Sequence, residues 1–134
     1  MDDKFYVTWQ DVKKYIEDLS DYLEKTGKKD RCPGIFTFPR GGFILATILS
    51  YHLDLPLLTN PAEGCIIIDD IVDTGITMKK YSDEKKDKNY FITSMFVKDD
   101  QLNYNTKYQC EVDYYSFIKA DEWIVYPWEE IDKW

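Results

Sequence analysis

Residues 65–78 read Cys-Ile-Ile-Ile-Asp-Asp-Ile-Val-Asp-Thr-Gly-Ile-Thr-Met. An unbroken β-branched run, the pattern of a central parallel strand, ends in two adjacent carboxylates, Asp69 and Asp70. A third carboxylate, Asp73, precedes Thr74-Gly75-Ile76-Thr77, which opens a helix. In open α/β sheets the ligand crevice lies at the carboxyl ends of the strands. Backbone N–H groups, two hydroxyls and a helix N-terminus gathered around one point suit a phosphate, and Gly75 lets the backbone come close to it. Paired carboxylates suit sugar hydroxyls or a hard cation such as Mg²⁺. Together these features point to a phosphorylated sugar. The plainer reading is that Asp69 and Asp70 merely end a strand while Asp73 and Thr74 cap a helix. Three carboxylates and two threonines within nine residues exceed what a cap needs.

Other phosphate motifs fit less well. Neither G-x-x-x-x-G-K-[ST] nor G-x-G-x-x-G occurs. An acidic pair at a strand end, with Lys98 at a later one, also fits a receiver domain phosphorylated on Asp69 or Asp70, but leaves the Thr-Gly-x-Thr turn unexplained.

The elements that must hold these residues alternate. Residues 8–25 form a helix, with Thr8 as cap and Asp11 three positions on. Trp9, Val12, Ile16, Leu19 and Leu23 share its core face, and Gly27 ends it. Residues 35–38 read as a short buried strand and 41–53 as an apolar helix buried on most sides. Residues 55–58, broken by Pro56, read as an edge strand. After the strand at 65–68 comes a short helix over 75–81. The mixed-charge run 82–89 reads as a solvated turn, and 90–97 and 112–118 read as strands. Strands alternating with helices give an α/β fold with an open, mostly parallel twisted sheet flanked by helices. His52, the sole histidine, reads as a surface or helix-end residue, and Cys65 and Met78 read as packing.

The chain has 134 residues, which predicts a single domain over 1–134. Its net charge of −8 argues against nucleic acid and against an anionic membrane surface as partners. Cys32, Cys65 and Cys110 lie far apart with no C-x-x-C pair, so a disulfide framework or zinc site is not expected. The acidic opening Met1-Asp2-Asp3-Lys4 lacks a signal-peptide core, and the longest apolar run, 43–49, is far short of the ~20 residues of a membrane span. The expectation is a cytoplasmic protein.

The segment from the buried strand through Asp69-Asp70 and Asp73-Thr74-Gly75-Ile76-Thr77 resembles the 5-phosphoribosyl diphosphate (PRPP) motif of the type I phosphoribosyltransferases. Phe38-Pro39-Arg40-Gly41-Gly42 resembles that family's pyrophosphate loop. Residues 121–128, Asp-Glu-Trp-Ile-Val-Tyr-Pro-Trp, and the opening Tyr6-Val7-Thr8-Trp9 are similar to bacterial xanthine-guanine members.

The resemblance implies transfer of the 5-phosphoribosyl group from PRPP to a 6-oxopurine, with Mg²⁺, in purine salvage, by a homo-oligomer, dimer or tetramer. Asp69 and Asp70 would contact the ribose hydroxyls, directly or through metal-bound water. Asp73, Thr74, Gly75, Ile76 and Thr77 would form the 5′-phosphate loop. Asp73 would also face the imidazole edge of the purine as general base or hydrogen-bond partner. Arg40, Gly41 and Gly42 would hold pyrophosphate. Lys98 would bind the 6-oxo group, Trp123 would stack on the base, and the Ile124 carbonyl would accept from an exocyclic amine. Plainer readings stand beside these: Lys98 as a solvated strand end, Trp123 as core near Trp128 and Trp134, and residues 40–42 as a strand–helix turn.

Two departures matter. Family members carry a long mobile loop before the PRPP-motif strand, whereas here residues 59–64, Thr-Asn-Pro-Ala-Glu-Gly, are all there is. The expectation is therefore the family fold with a reduced hood and a shortened flexible loop. A PRPP- or nucleotide-binding regulatory module of weak activity is the alternative. Secondly, Pro39 precedes Arg40 where the family often has a cis peptide. Proline favours cis only at Phe38-Pro39, so the sequence leaves open which bond, if either, is cis.

Overall fold

Thr8 starts the first helix by a reciprocal cap. Its hydroxyl accepts from the Asp11 N–H at 3.1 Å, and the Asp11 carboxylate accepts from the Thr8 N–H at 2.9 Å. The computed structural model describes residues 3–133. Met1 and Asp2 of the acidic opening, and Trp134, lie outside the described residues. The order of elements is β1 (Lys4–Tyr6), α1 (Trp9–Lys25), β2 (Ile35–Thr37), α2 (Gly41–Leu53), β3 (Ile66–Val72), α3 (Lys79–Lys88), β4 (Phe91–Lys98), α4 (Asp99–Leu102), β5 (Phe117–Lys119) and β6 (Trp123–Val125), followed by a 3₁₀ segment, Pro127–Lys133.

Four strands form one parallel sheet in the order β2-β3-β4-β5, and β1 and β6 form a separate parallel pair. The continuous apolar run of β3 is explained by burial on both faces. Ile66 and Ile68 pack with α1 and α2, against Leu19, Leu45 and Leu49. Cys65 and Ile67 alternate to the other face, with Met78, Tyr90 and Ile92. The small β1–β6 sheet is tied to the main one by aromatic rings: Phe5 lies 5.8 Å from Phe96 on β4, and Tyr126, just after β6, lies 5.9 Å from the same ring.

Several expectations are corrected. Trp9 sits at the first turn of α1, half-exposed against Trp128, while Tyr15 and Ser20 join the buried face instead. Helix α2 has the expected bounds but is buried on one face only. It is an outer layer, so Phe43, Thr47, Tyr51 and His52 face solvent. Residues 55–58 make a single bridge, Leu57 to Ile35, because Pro56 offers only its carbonyl to the edge. The helix expected over 75–81 begins at Lys79. The charge run expected as a turn is mostly helical, as its Lys/Glu content allows, and Lys79 pairs with Asp83 at 2.9 Å one turn on. The strand expected over 112–118 narrows to β5, because the Asp113 carboxylate accepts the Ile92 N–H (2.8 Å) that a continuous ladder would use.

Candidate active site

The strand β3 does not stop at its carboxylates; it carries Asp69 and Asp70 within its length and continues to Val72. Both are half-buried. The Asp69 carboxylate accepts from the Asp70 N–H at 2.8 Å, and the Tyr126 hydroxyl donates to the Asp70 carbonyl at 2.9 Å. Burial first, and then the neighbouring Asp70 charge, push the Asp69 carboxyl well above the usual carboxylate range. A cation or a hydrogen-bond donor placed beside Asp69 would offset that cost and favour its charged form.

The turn into α2 closes down on this pair. A Cβ at Gly41 would overlap the Asp70 Oδ2, and one at Gly42 would overlap the Thr37 hydroxyl and lie 3.1 Å from Asp69 Oδ1. Glycine is thus required for close backbone approach to the acidic pair. Arg40 is exposed at the head of α2, and the peptide bond between Pro39 and Arg40 is the cis one. A cavity of about 310 Å³ lies between residues 38–41 on one side and 69–78 on the other.

Residues 73–78 form the loop that leads into α3, ahead of the helix rather than within its first turn. Gly75 has φ +88° and is buried, while Thr74, Ile76 and Thr77 are exposed and offer hydroxyls and N–H groups to solvent. The Ile76 N–H reaches the Thr74 hydroxyl at 3.4 Å. Behind the loop stands the segment between β4 and β5, which sequence reasoning did not single out. Gln101 is buried there. Its amide nitrogen donates to the carbonyls of Asp73 (3.3 Å) and Tyr108 (3.1 Å), and its oxygen accepts from the Cys110 N–H (2.8 Å). The Thr106 hydroxyl adds a contact to the Thr74 carbonyl at 3.4 Å, and the Lys79 ammonium one to the Gln109 carbonyl at 3.0 Å.

Lys98 ends β4, with its ammonium 3.1 Å from the Ala120 carbonyl and 3.5 Å from Asp121. Burial pulls its pKa down, but Asp100, Asp121 and Asp73 outweigh that and leave it raised. Lys119, also unanticipated, ends β5. Its ammonium lies 3.5 Å from Asp73 Oδ2 and 3.2 Å from the same Ala120 carbonyl. No sequence signal marks Lys119 or Gln101; each matters only through strand register and loop packing. Trp123 is 67% exposed on β6, not core, and Ile124 is buried. Neither of them, nor Lys98, lines the 310 Å³ cavity, which is bounded by residues 38–41 and 69–78. Gly42 lies behind that turn, against Thr37.

A larger cavity of about 760 Å³ opens at the opposite, amino-terminal edge of the strands. Its lining mixes both charge signs, and Lys85 there is already paired with Asp113 at 2.9 Å. Cys32, Cys65 and Cys110 are buried thiols, and burial pushes Cys110 up to about 11. No helix among the described residues is long and apolar enough to cross a membrane.

No family model matches the sequence. Known proteins do. The xanthine-guanine phosphoribosyltransferase of Idiomarina loihiensis is 24% identical over 151 residues, covering 94% of this chain and 87% of the relative. That of Vibrio vulnificus is 27% identical over 154 residues, covering 96% and 91%. Among solved structures, the purine phosphoribosyltransferase of Pyrococcus horikoshii superposes with a TM-score of 0.71 at 30% identity, covering 95% of this chain and 94% of that one. With that likeness along nearly its whole length, and with the acidic pair, phosphate loop and Arg40 turn around one cavity, the chain belongs to the type I phosphoribosyltransferase family.

Proposed function

We propose that the protein transfers the 5-phosphoribosyl group of PRPP to a 6-oxopurine (guanine, xanthine or hypoxanthine), releasing a nucleoside monophosphate and pyrophosphate in purine salvage. The observation that carries this reading is the facing of Asp69, Asp70 and the 73–77 loop by the Arg40–Gly41 turn across one 310 Å³ cavity. Its relatives, named as xanthine-guanine and purine phosphoribosyltransferases, support the same substrates.

In this reading the Thr74 and Thr77 hydroxyls and the Gly75 and Ile76 N–H groups hold the 5′-phosphate. Asp69 and Asp70 hold the ribose hydroxyls. Arg40, with the backbone of Gly41 and Gly42, takes the charge that develops on the pyrophosphate as the bond from ribose C1′ breaks. Lys98 donates to the 6-oxo group, Trp123 stacks on the ring, the Ile124 carbonyl accepts from an exocyclic amine, and Asp73 faces the imidazole edge. As C1′ bonds to the ring nitrogen, the imidazole proton passes to Asp73 and then to water. The gain comes from orientation and from donors already in place.

The acidic pair also fits Mg²⁺ as a partial site. No cluster of three metal-ligating side chains occurs among the described residues, so Asp69 and Asp70 would supply two carboxylates and the substrate the remaining oxygens, as Mg²⁺ commonly requires. When bound, the ion would neutralise charge on the pyrophosphate.

The connection 59–64 favours one second reading. The Idiomarina alignment runs over 151 positions yet takes in 94% of a 134-residue chain, so the relative carries segments this chain lacks. A site short of a lid excludes water poorly, and a PRPP-binding module with little turnover would follow. Incubation of the protein with PRPP, Mg²⁺ and each base separates the two. Nucleotide and pyrophosphate formed in equal amounts support transfer. Calorimetric binding of PRPP with no nucleotide from any base supports the module and overturns transfer.

A further inference from the structure

We infer that Lys119 is a positioning residue for Asp73, a role that rests on the phosphoribosyl transfer proposed above. Strands β4 and β5 pair in parallel with Lys98 opposite Lys119. Residues in register on neighbouring strands point to the same face, so both ammonium groups rise together at the carboxyl edge of the sheet and meet on the Ala120 carbonyl. Their surroundings then differ. Lys98 pairs outward with the fully exposed Asp121. Lys119 is only 8% exposed and pairs inward, with Asp73.

A lysine this buried is rarely kept for stability. Desolvating an ammonium costs several kcal/mol, and an apolar residue of similar volume is often as good or better. The cost makes sense where the charge fixes a partner. Asp73 is fixed at two points, neither of them within the phosphate loop. Its carbonyl accepts from Gln101 at 3.3 Å, and its carboxylate faces Lys119 at 3.5 Å. The lysine engages Oδ2 and leaves Oδ1 to receive a proton from the base. Asp73 follows the acidic pair on a loop whose next side chains, Thr74, Ile76 and Thr77, are exposed. Without Lys119 its carboxylate would be free to swing into solvent, and misplacement of a reacting group by an ångström costs on the order of 100-fold in rate.

The test is a double-mutant cycle on nucleotide formation at saturating base, with PRPP varied. K119M is expected to lower kcat by about 10- to 100-fold while moving the KM for PRPP by less than about threefold. K119R, which keeps a cation but shifts it relative to Asp73, should recover part of the loss and leave a residual deficit of a few-fold. In a D73N background K119M should cost less than about twofold more, because the group it positions is gone. Equal losses with and without the D73N change, a loss confined to KM, or unchanged kcat in K119M overturns the inference while wild-type transfer stands. Should K119M not fold, K119R carries the same comparison. A displaced cation lowers kcat when Asp73 is present and not in D73N, and equal losses in both overturn it. Absence of nucleotide from the wild-type protein overturns the reaction and this inference with it.

Discussion

Replacing Asp69 by Asn should stabilise the protein at neutral pH while removing its function. Burial and the Asp70 charge push the Asp69 carboxyl from its ordinary 3.8 to about 8. The folded chain therefore keeps a proton that the unfolded chain releases near pH 4. Where the folded state binds more protons, stability falls as the pH rises, so the loss accumulates between about pH 4 and pH 8. Each tenfold change in proton affinity is about 1.4 kcal/mol, which caps the loss at about 6 kcal/mol. The Asp69 carboxylate retains some solvent access, which discounts the expected loss to about 2 kcal/mol. Asparagine has nearly the same shape, can still accept from the Asp70 N–H, and carries no charge at any pH. Urea denaturation of both proteins should give midpoints that agree near pH 4 and diverge upward to pH 8, with D69N the more stable by about 2 kcal/mol. The same variant should lose most PRPP-dependent turnover. Parallel pH profiles for the two proteins, or a D69N protein less stable at pH 8, would refute the claim that the acidic pair is held against its own electrostatics.

Three further outcomes follow from the surroundings of the site. Gly75→Ala should cost about 2 kcal/mol or more in thermal or urea unfolding, since φ is +88° and a Cβ would overlap the Tyr108 carbonyl and lie 2.7 Å from Gln101 Nε2. Gln101→Ala leaves the Asp73 and Tyr108 carbonyls and the Cys110 N–H without their partner. A loss of about 2–3 kcal/mol is expected in the same measurement, together with a raised KM for PRPP. Trp123→Ala removes a side chain that is 67% exposed. Stability should change by less than about 0.5 kcal/mol while the KM for the purine rises about tenfold or more through lost stacking, read by steady-state kinetics.

Much of this arrangement was legible in the chain because it is local. The capping pair Thr8 and Asp11, the helix Gly41–Leu53 and the two-faced strand around Ile66–Ile68 each follow from spacing within one element. The phosphate loop and acidic pair are likewise contiguous, so residue types and order suffice to suggest what they bind. What was not legible depends on distance in sequence. Lys119 reaches Asp73 only because β5 registers against β4 at Lys98. Gln101 reaches Asp73 across 28 residues from the four-residue helix α4, too short to show a periodic pattern. The pairing of β1 with β6 joins two three-residue segments at opposite ends of the chain, too short to announce themselves as strands. The start of α3 was placed early because Thr74-Gly75 looks like a cap, whereas the Gly75 carbonyl accepts from the Lys79 N–H at 2.8 Å to close a turn before the helix.

The charge of −8 also takes on a different meaning once the site is built. It argues against a long polyanion such as nucleic acid, whereas under the proposed transfer a small phosphorylated ligand would meet local donors instead: loop N–H groups, Arg40 and the two lysines on Ala120. Asp69, Asp70 and Asp73 are part of that acidity, grouped beside those donors where the ribose and base would lie.

The most direct measurement is a crystal structure of the protein with PRPP, Mg²⁺ and guanine. The 5′-phosphate is expected within hydrogen-bond distance of Thr74 and Thr77, the ribose hydroxyls on Asp69 and Asp70, and guanine between Lys98 and Trp123. PRPP found in the 760 Å³ cavity at the opposite strand edge, or phosphate density away from the 73–77 loop at saturating ligand, would contradict this placement.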